Sequence, residues 1–242
     1  MKVELHLHTS RYSGCAEAGP AELMAALTEA AYEAVFLTEH DCVWPDPEIQ
    51  SLQRQFPAIR IFPGLERTIC DDPLQHLLVL GTNDPEYLAT SDAAEIILKA
   101  RAAGHLTVLA HPFRWDGGDE ILWGQILPDA VEYHTPHQEG AQARAALAAA
   151  AERGVPAVNG GDVHALSFVN RCWVQTAQPV READDIRRIV LAGEYANCAR
   201  LLWGVSMQPC RIEPPRRPRG PRRPRPWRED AKRQDPALDR KP

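Results

Sequence analysis

Short apolar runs separated by longer amphipathic stretches recur along this chain. Residues 3–9, Val-Glu-Leu-His-Leu-His-Thr, alternate apolar and polar positions, which is the period of a strand. Pro20 stands at a helix start, and residues 21–34, rich in Ala, Leu and Glu, predict a helix. The apolar run 34–38 reads as a buried strand ending at Glu39-His40-Asp41. A helix is predicted around 47–56, a strand over 59–65 ending at Glu66, and a further strand over 74–80 that carries His76. Residues 93–103 read as a helix closed by Gly104, and 106–110 as a strand leading to His111-Pro112. A weaker strand over 130–133 ends at His134, and a strong helix over 139–153 stops at Gly154. Residues 155–158 form a short strand leading into Gly160-Gly161-Asp162-Val163-His164. A strand over 171–176 and a helix over 183–191, before Ala192-Gly193, complete the pattern.

Strands that are short and apolar, alternating with long crossovers, are the pattern of a parallel sheet with helices outside it. Around seven such units, with polar motifs repeatedly at strand ends, favour a closed α/β barrel over an open sheet. In both architectures functional groups gather at the carboxyl ends of the strands.

Composition changes this picture only at the C-terminus. The 44% hydrophobic and 25% charged content is that of an ordinary globular protein. No apolar run approaches the roughly 20 residues that span a bilayer, and the N-terminus lacks a basic segment followed by an apolar one. A cytoplasmic location and no membrane partner are the default expectations. Six cysteines without C-x-x-C spacing read as buried or incidental thiols, not a zinc ribbon. Residues 211–242 hold twelve Arg/Lys against five Asp/Glu and eight of the 21 prolines, leaving 15 basic against 28 acidic residues in the remainder. Such a tail cannot bury enough apolar surface to offset its ordering entropy, so disorder is expected there, after a connecting segment over 196–210. A basic tail can touch nucleic acid, but the acidic body does not read as a nucleic-acid groove.

The opening pair His6 and His8 admits two readings, the start of a metal site or two solvated imidazoles on an edge strand. Other residues decide between them. His6, His8, His40, Glu66, His76, His111, Asp162 and His164 each fall at or near the end of a predicted strand, and they include six of the nine histidines. Imidazoles mixed with carboxylates suit Mn, Fe or Zn more than Mg or Ca. Eight donors are too many for one ion and suit two or three, with a carboxylate bridging. Clusters of that kind activate water near neutral pH and clamp the oxygens of a displacement at phosphorus.

On these residues the chain resembles the PHP (polymerase and histidinol phosphatase) family of metal-dependent phosphoesterases. The motifs occur in order: HLHTS at 6–10, LTEHD at 37–41, GLE at 64–66 followed by His76, AHP at 110–112 and GDVHA at 161–165. The match covers roughly residues 1–195, and the ordered set is far more specific than any single motif. The resemblance implies a distorted (β/α)7 barrel with two or three divalent ions in its mouth. It implies His6, His8, Glu66 and Asp162 around one ion, with Glu66 bridging to a second held by His76 and His111, and His40 and His164 on a third. One departure is visible, since family members commonly place Asp or His in the loop after the first motif where this chain has Ser13, Gly14 and Cys15. A hydroxyl is a poor replacement, whereas a Cys15 thiolate is a possible soft ligand. The third site is therefore expected to be weak, or completed by a substrate oxygen.

The function expected is hydrolysis of a phosphate monoester of a small metabolite or nucleotide by a hydroxide bridging the two core ions. The alternatives are an exonuclease or oligonucleotide phosphodiesterase, and a non-catalytic metal-binding barrel. His164, Asp41 and His134, in that order, are candidates to give the leaving alkoxide its proton, and Asp41 alternatively orients His40 or caps a turn. Arg11, Arg67 and Arg114 lie in loops expected at the mouth and are candidate phosphate anchors. His105 and His137 are read as structural or solvated.

Overall fold

The computed structural model describes residues 1–200 and the backbone of residues 210–212. The Pro/Arg-rich tail from residue 213 onward and residues 201–209 of the connecting segment lie outside the described residues. One sheet of ten strands organises the chain: β1 (Lys2–Glu4), β2 (Ala34–Leu37), β3 (Arg60–Asp71), β4 (Leu74–Leu80), β5 (Leu106–Ala110), β6 (Ala130–His134), β7 (Ala157–Asn159), β8 (Cys172–Thr176), β9 (Tyr195–Ala199) and β10 (Cys210–Ile212). Their spatial order is β10-β9-β8-β1-β2-β3-β4-β5-β6-β7. The helices are α1 (Pro20–Glu29), α2 (Asp46–Gln55), α3 (Ala93–Ala103), α4 (Gly140–Arg153) and α5 (Asp185–Ala192).

The sheet is mixed, not wholly parallel as the alternation predicts. β1, β2 and β3 run parallel, as do β5, β6 and β7, but β4 is antiparallel to both β3 and β5. Only Asp72 and Pro73 separate β3 from β4, and so short a connection can make only a hairpin. β8 and β9 also run antiparallel to their neighbours. The strand β9 was not foreseen, being short and poor in β-branched residues, and it carries the sheet past residue 195. The backbone of β10 pairs with β9 at Arg211 and Ile212, where the sequence suggests that disorder begins.

The two ends of the sheet are stitched together into a nearly closed barrel. Asn159 accepts no ladder partner on its free side; instead its amide N–H donates to Asn197 Oδ1 at 2.8 Å and its Nδ2 donates to the Cys198 carbonyl at 2.9 Å. Beyond β7, Leu7 and Val163 form a parallel bridge, with His8 N–H donating to Val163 O at 2.9 Å and Val163 N–H to His6 O at 3.1 Å.

Strand periodicity explains how an apolar barrel acquires a polar mouth. Residues of the outer face, such as Val35, Leu37, Leu77, Val79, Leu109 and Val131, pack with the helices in separate apolar clusters. Ala34, Phe36, Leu78, Leu80, Leu106, Val108 and Ala130 form a central cluster together with Ile186 and Ile189 of α5. Continuing two residues along the same faces leads from Phe62 and Gly64 to Glu66, from Ala130 to Glu132, and, because β4 runs backwards, from Leu80 and Leu78 to His76. His76 therefore reaches the mouth from the first turn of its strand and not from its end. Helices α3 and α4 stop where expected, at the left-handed Gly104 and Gly154. Among the described residues no helix is long and apolar enough to cross a membrane.

Candidate metal centre

All eight sequence-derived ligand candidates converge. His6, His8, Glu66 and Asp162 are buried, as are His111 and His76, while His40 and His164 are partly open. The ordered strand β1 ends at Glu4, so His6 and His8 project from the extended segment that Val163 bridges. Their Nε2 atoms are 3.0 Å apart. Glu66 Oε2 stands 3.2 Å from His6 Nε2 and 3.1 Å from His8 Nε2, and Asp162 Oδ1 lies 3.4 and 3.5 Å from the same two nitrogens. Donors bound to one ion through bonds of about 2.1 Å are themselves separated by about 3.0–3.4 Å; the separations among His6, His8 and Glu66 fall in that range, and Asp162 Oδ1 lies at or just beyond its upper end from the two imidazoles. The other Glu66 oxygen, Oε1, is 3.0 Å from His76 Nδ1 and 3.2 Å from His111 Nε2. His40 Nδ1 is 3.0 Å from Glu66 Oε2, so it adjoins the Glu66 carboxylate as well as His8 and His164.

The contacts are close but are not hydrogen bonds throughout. Glu66 Oε2 is buried beside three imidazole nitrogens and accepts a hydrogen bond from none of them, and His76 Nδ1 is likewise buried without a hydrogen-bond partner. An orphaned carboxylate oxygen in a dry site is expensive, and nitrogen and oxygen lone pairs aimed at a common point are what a cation satisfies. The donor set fits divalent metal ions, with Mn, Fe and Zn the chemical match. Among the side chains alone the charges are strongly coupled. Burial opposes charge on His6, yet the carboxylates of Glu132, Glu66 and Asp162 outweigh it and hold its pKa well above the usual value. Burial likewise works against ionised Glu66, but His6, His111 and His40 keep its pKa well below the carboxylate range. His164 is pushed down to about 4 by burial and by neighbouring His8.

Three buried glutamates outside the expected set support these ligands. Glu132 Oε1 pairs with His6 Nδ1 at 3.0 Å, and its Oε2 accepts the backbone N–H of His111 at 3.0 Å. An imidazole donating Nδ1–H to a carboxylate presents Nε2 to a metal in a fixed orientation. Glu39 accepts from Thr9 Oγ1 at 2.6 Å, Ser13 Oγ at 2.5 Å and Trp44 Nε1 at 3.0 Å, fixing the first-motif loop. Glu4 accepts from the backbone of Gly161 and His6, and burial raises its pKa to about 7. Glu4 and Glu132 stand within apolar strand runs and Glu39 just after one, but a glutamate so placed is ordinarily solvated and only burial sets these three apart.

Two members of the cluster hold strained backbone. His111 and Asp162 have positive φ values of 30° and 43°, a region that non-glycine residues rarely occupy unless their surroundings enforce it. Gly160 must be glycine because an added Cβ would fall within the Glu132 carboxylate and against His6 Cβ. Gly160→Ala is expected to displace Glu132 from His6 and destabilise the fold by about 1–3 kcal/mol; a thermal melt and metal content matching the unsubstituted protein would contradict this.

The remaining candidates distribute unevenly. Arg114 reaches the cluster, donating to Asp162 Oδ2 and to Thr135 Oγ1 at 3.1 Å. Arg11 does not; it is 54% exposed and paired with Glu48 at 3.2 Å on the outer side of the loop. Arg67 is engaged with Asp41 and with the Thr90 carbonyl. Asp41 accepts from Arg67 and Thr68 N–H instead of orienting His40, and against the effect of burial the Thr68 and Arg67 contacts hold its pKa low. His134 is partly buried with Nδ1 unpartnered, and burial lowers its pKa. His137, read from sequence as structural or solvated, lies at the rim with Nε2 3.0 Å from Asp162 O and its ring 5.7 Å from His164. His105 pairs with Asp184 at 2.8 Å, on the opposite side of the barrel near α5. Ser13, where a third-site ligand was expected, bonds Glu39, lies 3.3 Å from His8 Nδ1 and accepts the His40 N–H at 3.2 Å. The Cys15 thiol is pushed up by burial and by the charges of Glu66 and Asp162, the reverse of a preformed thiolate.

No protein-family model and no curated protein matches the chain. Solved structures do. It is similar to a two-domain protein from Bacteroides vulgatus that contains a PHP-like metal-dependent phosphoesterase, with a TM-score of 0.62 and 16% identity over 81% of this chain. The chain spans 64% of that protein's length. It is also similar to a protein from Bifidobacterium adolescentis named as a metal-dependent phosphoesterase, with a TM-score of 0.53 and 15% identity, covering 67% of this chain and 87% of the other. A lesion-specific endonuclease from Pyrococcus furiosus matches with a TM-score of 0.55 and 15% identity, covering 83% of this chain and 59% of the other. What these structures share with the chain is the fold.

Proposed function

We propose that the protein is a metal-dependent hydrolase of phosphate esters, acting on a monoester of a small metabolite or nucleotide. The observation that carries this reading is the two-sided environment of Glu66, with His6, His8 and His40 against one oxygen and His76 and His111 against the other. His6, His8, Glu66 and Asp162 would hold one ion, Glu66, His76 and His111 a second, and His40 with His164 a third. Divalent ions at these positions supply an acidified water and offset the negative charge of the reacting phosphoryl group.

The protein's own residues do the rest. Glu132 holds His6 in the tautomer that presents Nε2. Arg114, the one candidate anchor bonded to a member of the cluster, offers a planar cation to a phosphate oxygen. We assign His164 and His134 as the candidates to pass a proton to the leaving alkoxide, whereas Asp41 is committed to Thr68 and Arg67. Ser13 contributes a hydroxyl where an acidic or imidazole ligand would have tightened the third position, so occupancy there would depend on substrate.

The likeness to an endonuclease gives one specific reason to test a nuclease reading. Against it stands the acidic balance of residues 1–210, with 15 basic and 28 acidic side chains. The Mn²⁺-loaded protein, given phosphorylated metabolites, nucleotides and single-stranded oligonucleotides in parallel, is expected to release inorganic phosphate from monoesters faster than it shortens oligomers. The reverse order would establish the nuclease, and inertness towards all of them a non-catalytic barrel.

A further inference from the structure

The loop between β5 and β6 brings a partly exposed indole to the mouth lined by the candidate metal ligands. Trp115 is 38% exposed, whereas Trp44 and Trp173 are buried. Its ring stands edge-to-face with those of two ligand candidates, 5.2 Å from His111 and 6.0 Å from His76 between centres. Arg114 lies over the indole at 5.2 Å while the same guanidinium bonds Asp162. The loop is tied to β4, where Gln75 Nε2 donates to Gly117 O at 3.1 Å, and is closed on itself by Gly118 N–H donating to Trp115 O at 3.2 Å. An aromatic surface this well anchored needs no ordering when a ligand arrives, which raises its value for recognition.

We propose that Trp115 is a specificity-determining residue that stacks a flat aromatic ring of the substrate, so that the site takes phosphate esters of nucleosides in preference to those of sugars or alkyl alcohols. This inference rests on the phosphoesterase reading of the same site. A nucleotide presents a phosphate and a π-face separated by one sugar, and here the phosphate-binding groups and the indole stand side by side. Stacking is tolerant of base identity because every base has a π-face, so purine and pyrimidine esters both qualify. The competing role for the indole is simply to shield His76 and His111 from water.

AMP and ribose 5-phosphate offer the same scissile bond and differ only by the base. The Mn²⁺-loaded full chain is expected to bind AMP about 10- to 100-fold more tightly than ribose 5-phosphate, measured by calorimetry. The same ratio is expected in kcat/KM. Trp115→Ala should raise KM for AMP towards that for ribose 5-phosphate, with kcat moved much less and metal per chain retained, and Trp115→Phe should restore part of the preference. Equal affinity for the two esters in the unsubstituted protein would overturn the inference, as would a Trp115→Ala protein that loses metal and weakens both esters alike. Preferential AMP binding without phosphate release would support stacking while defeating the hydrolase reading, so the two can fail separately.

Discussion

Glu66→Gln is expected to reduce turnover by about a thousand-fold or more and to lower the metal bound per chain. The substitution preserves shape and volume, so packing against buried neighbours is retained. What it removes is charge and one acceptor. Oε2 faces three imidazole nitrogens and Oε1 faces two, so whichever position receives the amide NH₂ turns a lone pair into a donor against nitrogens that themselves must coordinate. The loss should therefore fall on kcat and metal content together, with the fold's far-ultraviolet signature unchanged. A Glu66→Gln protein that kept its metal and most of its kcat would remove the bridging role.

Withdrawing metal should have the next largest effect, and on stability. The folded chain gathers six histidines and two carboxylates at one place, whereas the unfolded chain scatters them along about 160 residues. A ligand present at a thousand times its dissociation constant stabilises the fold by about 4 kcal/mol per site. For a domain of this size that corresponds to a Tm difference of about 8–16 °C. Thermal melts with Mn²⁺ and then with excess chelator are expected to differ by at least that much if two sites fill. Coincident melts, with no metal detected in the purified protein, would mean that the convergence of donors does not bind cations.

Much of the centre was legible in the sequence because its chemistry is carried by rare residue types in short, ordered motifs. Histidine is uncommon and apolar strands seldom contain it, so His6, His8, His76 and His111 stood out against Leu and Val. Glu132, Glu39 and Glu4 were less visible, since a glutamate in a strand is ordinarily a solvated one and only burial reveals otherwise. The arginines show what position after a motif leaves open, since a long flexible side chain pairs with a carboxylate near it in space: Glu48 for Arg11 and Asp41 for Arg67. Asp41 adjoins His40 in sequence, while its hydrogen-bond partners in space are Arg67 and Thr68.

By itself the sequence determined most of the succession of strands and helices, the helix stops at Gly104 and Gly154, and the eight imidazole and carboxylate side chains that converge, because periodicity and side-chain chemistry are local properties. Strand direction, the closure through Val163 and Leu7, the unforeseen strand at 195–199 and the pairing of each charged group were decided only by tertiary structure. These depend on which segments meet, and contacts between residues more than a hundred positions apart, such as His6 with Glu132, leave no mark on either segment alone.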